Sequence, residues 1–310
     1  MRKVGLTTIA ALVVAIVAVS ASAPMIAFAA APALAIAFWR NALGTAALAP
    51  AALLGSRGGR GGEPGRRRGA LGVTLLSGVF LAVHFGTWVP SAKLTSVAMS
   101  VALVSTTPVW TALVAAARGV KVPASTWAGI GIAVAGVALA TGADPDLSGR
   151  ALLGDALALA GGIAAAGYTL LGERARATLP TTVYASVCYS VCALLLLAVC
   201  LASGTRLWGY TWETWIAIAG MTIGPQLLGH TLINYSLHRV SATTVAVLLL
   251  LEVPGALVIA WLLLGQLPAA RTLPGIAILL AGVAVVVLGA RRRQPTKGGT
   301  IISPEAIGTT

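Results

Sequence analysis

Apolar stretches of about 20 residues recur along this 310-residue chain, and they limit its fold more than any motif does. A helix of about 20 residues is as long as a bilayer's hydrocarbon core is thick. Ten such runs are expected to cross, over residues 4–28, 31–54, 71–90, 97–117, 126–141, 151–172, 182–203, 216–236, 243–264 and 273–290. The fifth is the shortest. Their short connections suit antiparallel helical neighbours. Composition agrees: 58% of the residues are hydrophobic and 9% charged, against about 25% charged in a soluble domain. So little polar surface excludes a soluble enzyme.

The formal net charge of +13 would suit a nucleic-acid binder if the basic residues were gathered on one face. They are not. With the N-terminus inside and ten crossings, 16 fall on the inner side: Arg2, Lys3, Arg57, Arg60, Arg66, Arg67, Arg68, Arg118, Lys121, Arg174, Arg176, Arg239, Arg291, Arg292, Arg293 and Lys297. Four fall outside: Lys93, Arg150, Arg206 and Arg271. Lys and Arg accumulate in cytoplasmic loops, so both termini are expected in the cytoplasm. Trp208, Trp212 and Trp215 cluster at one outer boundary, where amphipathic rings favour the headgroups. The Gly/Arg stretch 55–69 and the tail from Arg291 read as flexible, and 55–69 offers no aromatic or base-reading residues. Ala21-Ser22-Ala23 resembles a signal-peptide cleavage site. The apolar run continues to Phe28, however, and the reading adopted is an uncleaved first helix.

A shift of 146 residues superimposes 84–138 on 230–284 without a gap. His84 meets His230, Pro108 meets Pro254, Gly119 meets Gly265, and Ala135-Gly136-Val137-Ala138 meets Ala281-Gly282-Val283-Ala284. Aliphatic matches are weak in such a chain, but it has only three histidines. The shift carries spans three to five onto eight to ten. The expected organisation is an all-α polytopic membrane protein of two five-helix repeats, 1–142 and 143–290, with a cytoplasmic tail over 291–310. Because five is odd, the repeats are inverted, a recurring plan of secondary transporters.

Phe38-Trp39-Arg40 in span two, the Pro108 and Pro254 helices, Gly154-Asp155 opening span six, and Gly-Ile…Ala-Gly-Val in spans five and ten carry a resemblance. Over about residues 5–290 the chain resembles the EamA-like permeases of the drug/metabolite transporter superfamily. It departs from them at Val120 and Gln266, where members often have Glu after Gly, and it lacks their common first-helix Trp. The resemblance implies a small-metabolite carrier, often an exporter of amino acids or related compounds.

Polar residues at membrane depth are the candidate substrate contacts, because ionisable groups there usually face the bundle interior. Glu252 lies mid-span, two residues before Pro254. A carboxyl group out of water is costly to ionise, so Glu252 could carry a coupling proton or meet a substrate amine. The structural alternative is a neutral acid bonded to carbonyls that Pro254 frees. Arg40 demands an anion or carbonyl partner, which a substrate carboxylate, Glu252 or helix ends would provide, unless it snorkels outward. His84 and His230 occupy symmetry-related depths. Trp88 lies one turn beyond His84, Asn234 one turn beyond His230, and Gln226 one turn before it. Tyr168 in span six is the weakest candidate. Asp155 reads as interfacial, and Cys188, Cys192 and Cys200 as packing residues, with no metal or other cofactor implied.

These readings together predict a secondary transporter of the inner (cytoplasmic) membrane, a monomer or homodimer, exporting a small metabolite by alternating access with Glu252 as the proton carrier. A facilitated uniporter is the alternative. A membrane-embedded enzyme would need convergent catalytic groups, and the scattered histidines and isolated acids supply none. Bilayer lipid and a small molecule are the expected partners, and nucleic acid is not.

Overall fold

The computed structural model describes residues 5–58, 64–95, 97–141, 148–265 and 272–291. Among them all regular structure is helical. In order these are α1 (Leu6–Ser20), α2 (Ser22–Phe28), α3 (Ala33–Gly58), α4 (Pro64–Leu94), α5 (Val97–Val104), α6 (Thr107–Ala117), α7 (Ala124–Thr141), α8 (Gly149–Arg176), α9 (Thr181–Ala202) and α10 (Trp212–Met221). A π-helical segment, Thr222–His230, follows. Then come α11 (Thr231–Ser236), α12 (Ala242–Leu249), α13 (Glu252–Leu264) and α14 (Thr272–Arg291). The centre of the 55–69 stretch, the tail beyond Arg291, Met1–Val4 and Gln266–Arg271 lie outside the described residues. α3 and α4 run on into the 55–69 stretch from both sides, α4 opening at Pro64, a residue preset for a first helical turn.

Among the described residues, seven helical stretches are long and apolar enough to cross a membrane: Leu6–Phe28, Arg68–Leu94, Met99–Ala117, Gly149–Arg176, Thr181–Ala202, Trp212–Ser236 and Ala242–Leu263. Ala124–Leu139 and Leu273–Leu288 are shorter apolar helices. α3, at 26 residues, is long enough, but Arg40 and Asn41 in its third turn lower its hydropathy. Large apolar side chains such as Leu194, Leu201 and Leu262 stand exposed on the outer faces of these helices, as lipid-facing positions do.

The repeat extends through the whole architecture. A 146-residue shift brings α5 and α6 to within one residue of the starts of α12 and α13, and it carries α4 onto α10–α11 and α7 onto α14. Contacts obey the same symmetry. α4 packs along α8, and its counterpart segment, the π helix with α11, packs along α1. α3 packs on α9.

The α7–α14 seam shows the symmetry at atomic detail. A Cβ on Gly129 would lie 2.8 Å from the Gly282 carbonyl oxygen, and one on Gly136 would lie 2.8 Å from that of Gly275. Gly129 and Gly275 are repeat mates, as are Gly136 and Gly282, so each contact is the image of the other. The early glycine of one helix meets the late glycine of the other, so the two helices run antiparallel. Small residues let the backbones approach, the usual device for helix association in lipid.

Candidate functional site

Two helices break at matching places. Between α5 and α6 the chain turns at Ser105–Thr106, two residues before Pro108 at the nearer end; between α12 and α13 it turns at Leu250–Leu251, three residues before Pro254. Proline removes a helix hydrogen bond and crowds the preceding turn. In the first break, hydroxyls satisfy the freed carbonyls: Thr106 Oγ1 donates to Leu103 O at 2.7 Å, and Thr107 Oγ1 to Val104 O at 2.7 Å. The second break has Leu251, Glu252 and Val253 at the equivalent positions. There Leu250 and Leu251 close short turns onto Val247 and Leu248.

A cavity lies against both breaks, with about 740 Å³ of empty space, its mouth included. Ser105, Thr107 and Pro108 line it from the first break, and Leu250 and Glu252 from the second. α4 contributes His84 and Trp88, α8 contributes Tyr168, and the end of the π segment contributes His230. Of the eight sequence candidates, Glu252, His84, Trp88, His230 and Tyr168 therefore meet in one wall. Val19, Val104, Ile233 and Leu249 supply apolar surface between them.

The symmetry-related histidines face each other, with ring centroids 6.4 Å apart. Their partners differ. His84 Nδ1 lies 2.9 Å from Gly161 O; a carbonyl only accepts, so Nδ1 carries the proton. His84 also stacks on Trp88, with 5.6 Å between centroids and 9° between planes. His230 packs edge-on to Phe85 and Tyr168, and among the described residues its Nδ1 has no hydrogen-bond partner. The Trp88 indole N–H and the Ser105 hydroxyl are likewise buried with no hydrogen-bond partner among the described residues. Glu252, in the first turn of α13, makes no hydrogen bond or ion pair with the described residues. The bond to a proline-freed carbonyl is thus not formed. Glu252 lines the cavity instead, at a helix N-terminus whose dipole suits negative charge.

Arg40, Gln226 and Asn234 stand behind this wall. Arg40 is fully buried (0% exposed). Its Nε donates to Gln226 Oε1 at 2.9 Å and its Nη1 to Ser22 Oγ at 3.0 Å, while its guanidinium lies 4.4 Å from the centre of the Phe85 ring. Gln226 in turn donates from Nε2 to Asn41 Oδ1 at 3.0 Å. Among the described residues no carboxylate pairs with Arg40 and its Nη2 has no hydrogen-bond partner. Gln226 is spaced to share a face with His230 on an α helix, but it lies on the π segment, whose wider turns aim it at Arg40. Asn234 Oδ1 accepts from the Tyr168 hydroxyl at 2.8 Å, fixing the ring that lines the cavity. Asp155 is half-buried in α8 and does not line it. The three cysteines are buried and free. Among the described residues, no three His, Cys, Asp or Glu side chains are grouped to hold a metal.

Ser22, Ser105 and Thr107 escaped the sequence reading. Hydroxyls are common in apolar helices, but the run Ser105-Thr106-Thr107 before Pro108 aligns with Leu251-Glu252-Val253 before Pro254. That alignment was the available signal.

The sequence model of the EamA-like transporter family matches residues 5–142 and, a second time, residues 152–288. The chain belongs to the EamA-like transporter family. It is therefore a multi-pass membrane protein of drug/metabolite transporter type, with two EamA repeats. One broken helix lies in each repeat, and the cavity is built from both. A solved crystal structure, 21% identical, superposes with a TM-score of 0.70 over 93% of this chain and 98% of that one, which shows the shared fold. No curated protein matches the sequence.

Proposed function

We propose that this EamA protein is a secondary transporter that exports a small metabolite, an amino acid or related compound, across the cytoplasmic (inner) membrane. In this reading ten helices cross the bilayer as two inverted five-helix halves, with both termini in the cytoplasm. The halves rock about the shared cavity to expose it to one side and then the other. A small molecule and the bilayer are its partners, as a monomer or homodimer, and it transports rather than catalyses.

The observation that carries the reading is Glu252. It is an acid at a helix break that lines a cavity between two repeats and makes no side-chain hydrogen bond or ion pair with the described residues. Such a group is free to exchange a proton for substrate within one cycle. His84, Trp88, His230 and Tyr168 then contact substrate directly. Arg40, Gln226 and Asn234 hold that wall in place.

Purified protein in proteoliposomes, loaded with labelled metabolites, tests this. An acid exterior is expected to speed efflux, and Glu252→Gln to abolish that stimulation. If Glu252→Gln leaves flux and its pH response unchanged, the coupling assignment fails. Wild-type flux indifferent to the pH gradient identifies a uniporter.

A further inference from the structure

Behind the cavity wall the two repeats differ in backbone. The 146-residue shift carries the π segment Thr222–His230 onto residues 76–84, which lie inside α4. A π turn closes at i→i+5 and takes in one residue more than an α turn, a device found mostly at functional sites. Closing it at i→i+4 instead would turn the side chains beyond it, His230 and Asn234 included, relative to those before it. Proline accounts for part of the departure. Pro225 brings no N–H to the ladder and its ring crowds the preceding turn, whereas its repeat mate is Val79.

The wider turn is held at the carbonyl of Gln226. It accepts the N–H of Thr231, five residues on. Two hydroxyls reach the same oxygen: Tyr189 of α9 donates from 3.2 Å and Thr231 Oγ1 from 3.3 Å. The hydroxyls lie 3.1 Å apart, so two protons serve three contacts and each group supports the other. The Gln226 side chain is fixed as well, by Arg40 and Asn41 of α3. Gly44 leaves the room for this, since a Cβ there would lie 3.1 Å from Gln226 Cγ and 3.5 Å from the Tyr189 ring. The first repeat has none of these groups: the same shift matches Tyr189, Gln226 and Thr231 with Leu43, Phe80 and Phe85. Neither Tyr189 nor Thr231 lines the cavity. Resting on the transporter reading above, we infer that Tyr189 and Thr231 are positioning residues of the transport site. Their hydroxyls hold the Gln226 carbonyl in π register, and that register sets His230 in the cavity wall and the Gln226 amide on Arg40. Tyr189 stands on α9 and Arg40 on α3, two helices packed together, so a movement of that pair against the segment reaches His230 through Gln226.

The chain has only three histidines, so NMR of the full-length protein in detergent, labelled in its histidine rings, reads each one without any substrate. His84→Phe, His230→Phe and His238→Phe assign the signals, and His238, which bonds Arg176 O, is the reference. Tyr189→Phe and Thr231→Val each remove one hydroxyl and little volume. Each is expected to weaken the hold on the π register about fivefold, the usual net worth of one buried hydrogen bond. The spectrum reads this as a displaced or doubled His230 signal while that of His238 stays in place. Thr231→Ser keeps the hydroxyl and should keep the wild-type His230 signal. An unmoved His230 signal in the Tyr189→Phe/Thr231→Val double variant overturns the assignment. So does a Thr231→Ser signal displaced as far as that of Thr231→Val, because the hydroxyl would then not be what matters. Equal displacement of His230 and His238 overturns it too, since the effect would be on the fold at large. Should Tyr189→Phe fail to fold, the Thr231→Val and Thr231→Ser pair decides alone. A protein that carries no labelled metabolite across proteoliposomes would instead sink the transporter reading and leave the clamp on His230 standing.

Discussion

The α7–α14 seam and the cavity are both products of the internal repeat, and they treat it in opposite ways. At the seam the symmetry is kept: Gly129 against Gly282 is matched by Gly136 against Gly275, each at 2.8 Å for an added Cβ. At the cavity the backbone symmetry is kept and the chemistry is not. Glu252 stands opposite Thr106, and an unpartnered His230 stands opposite a hydrogen-bonded His84. Backbone-to-backbone packing has few solutions, so both copies retain the same one.

The seam predicts the largest effect. Gly136→Leu drives a side chain into the backbone of α14, where even a Cβ has no room. Overpacking against rigid backbone is expected to cost about 3 kcal/mol or more, read as a lost monodisperse peak on size exclusion in detergent. Gly131, on the same helix, has nothing within 4 Å of an added Cβ. Gly131→Leu should leave the peak intact. Equal damage from both would mean that the helix, rather than the seam, is what matters.

The cavity side of the comparison is broken by making the two repeats alike. Glu252→Thr places a hydroxyl at both breaks. Its carboxyl makes no bond with the described residues, so the midpoint of thermal unfolding should stay near that of wild type. Efflux driven by an acid exterior should fall by about tenfold or more, the loss expected when a positioned proton-transfer group is removed. A stable variant that keeps its pH response would show that the chemical asymmetry is incidental.

Much of this was legible in the sequence because membrane proteins write their fold in hydropathy. The apolar runs, the two-fold repeat, the Pro108 and Pro254 helices and the His84–His230 pairing all precede the structure. Five of the eight candidate contacts line one cavity because charge and polarity at membrane depth are costly, and so are rare and informative. The misses have a physical cause too. Gln226 was assigned a face by α-helical spacing, and the π segment Thr222–His230 re-aims it toward Arg40. Ser105 carries no charge and so gave no signal until its hydroxyl was seen without a partner. Arg40 was legible as buried, but its neutral partners, 186 and 18 residues away along the chain, were not.

Arg40 sits between the two regimes, since it packs like the seam and is polar like the cavity. Arg40→Met keeps much of the volume but strands Gln226 Oε1 and takes the donor from Ser22. Leaving such groups unsatisfied costs about 1–3 kcal/mol, and the loss should appear as a lower unfolding midpoint. Arg40→Lys should recover little of it, because one ammonium cannot reproduce the fork that reaches both partners. Full recovery by Lys would indicate that the charge over Phe85, rather than the hydrogen bonds, is what holds the wall.

The smallest effect separates the two histidines. His84→Phe takes the donor from Gly161 O and is expected to cost about 1 kcal/mol, the usual net worth of a buried hydrogen bond. His230→Phe removes a buried nitrogen that had no partner. Its unfolding midpoint should therefore hold or rise slightly, because an unsatisfied polar atom is replaced by an apolar one. Transport should respond in the reverse order, with His230→Phe the more damaging, since His230 lines the cavity with no hydrogen bond at Nδ1 among the described residues, while His84 Nδ1 is committed to Gly161 O. Thermal unfolding and counterflow measured on the same two preparations decide it. Identical behaviour of the two variants would mean that the pair acts as one symmetric unit, and the division of labour between the repeats would then rest on Glu252 and Thr106 alone.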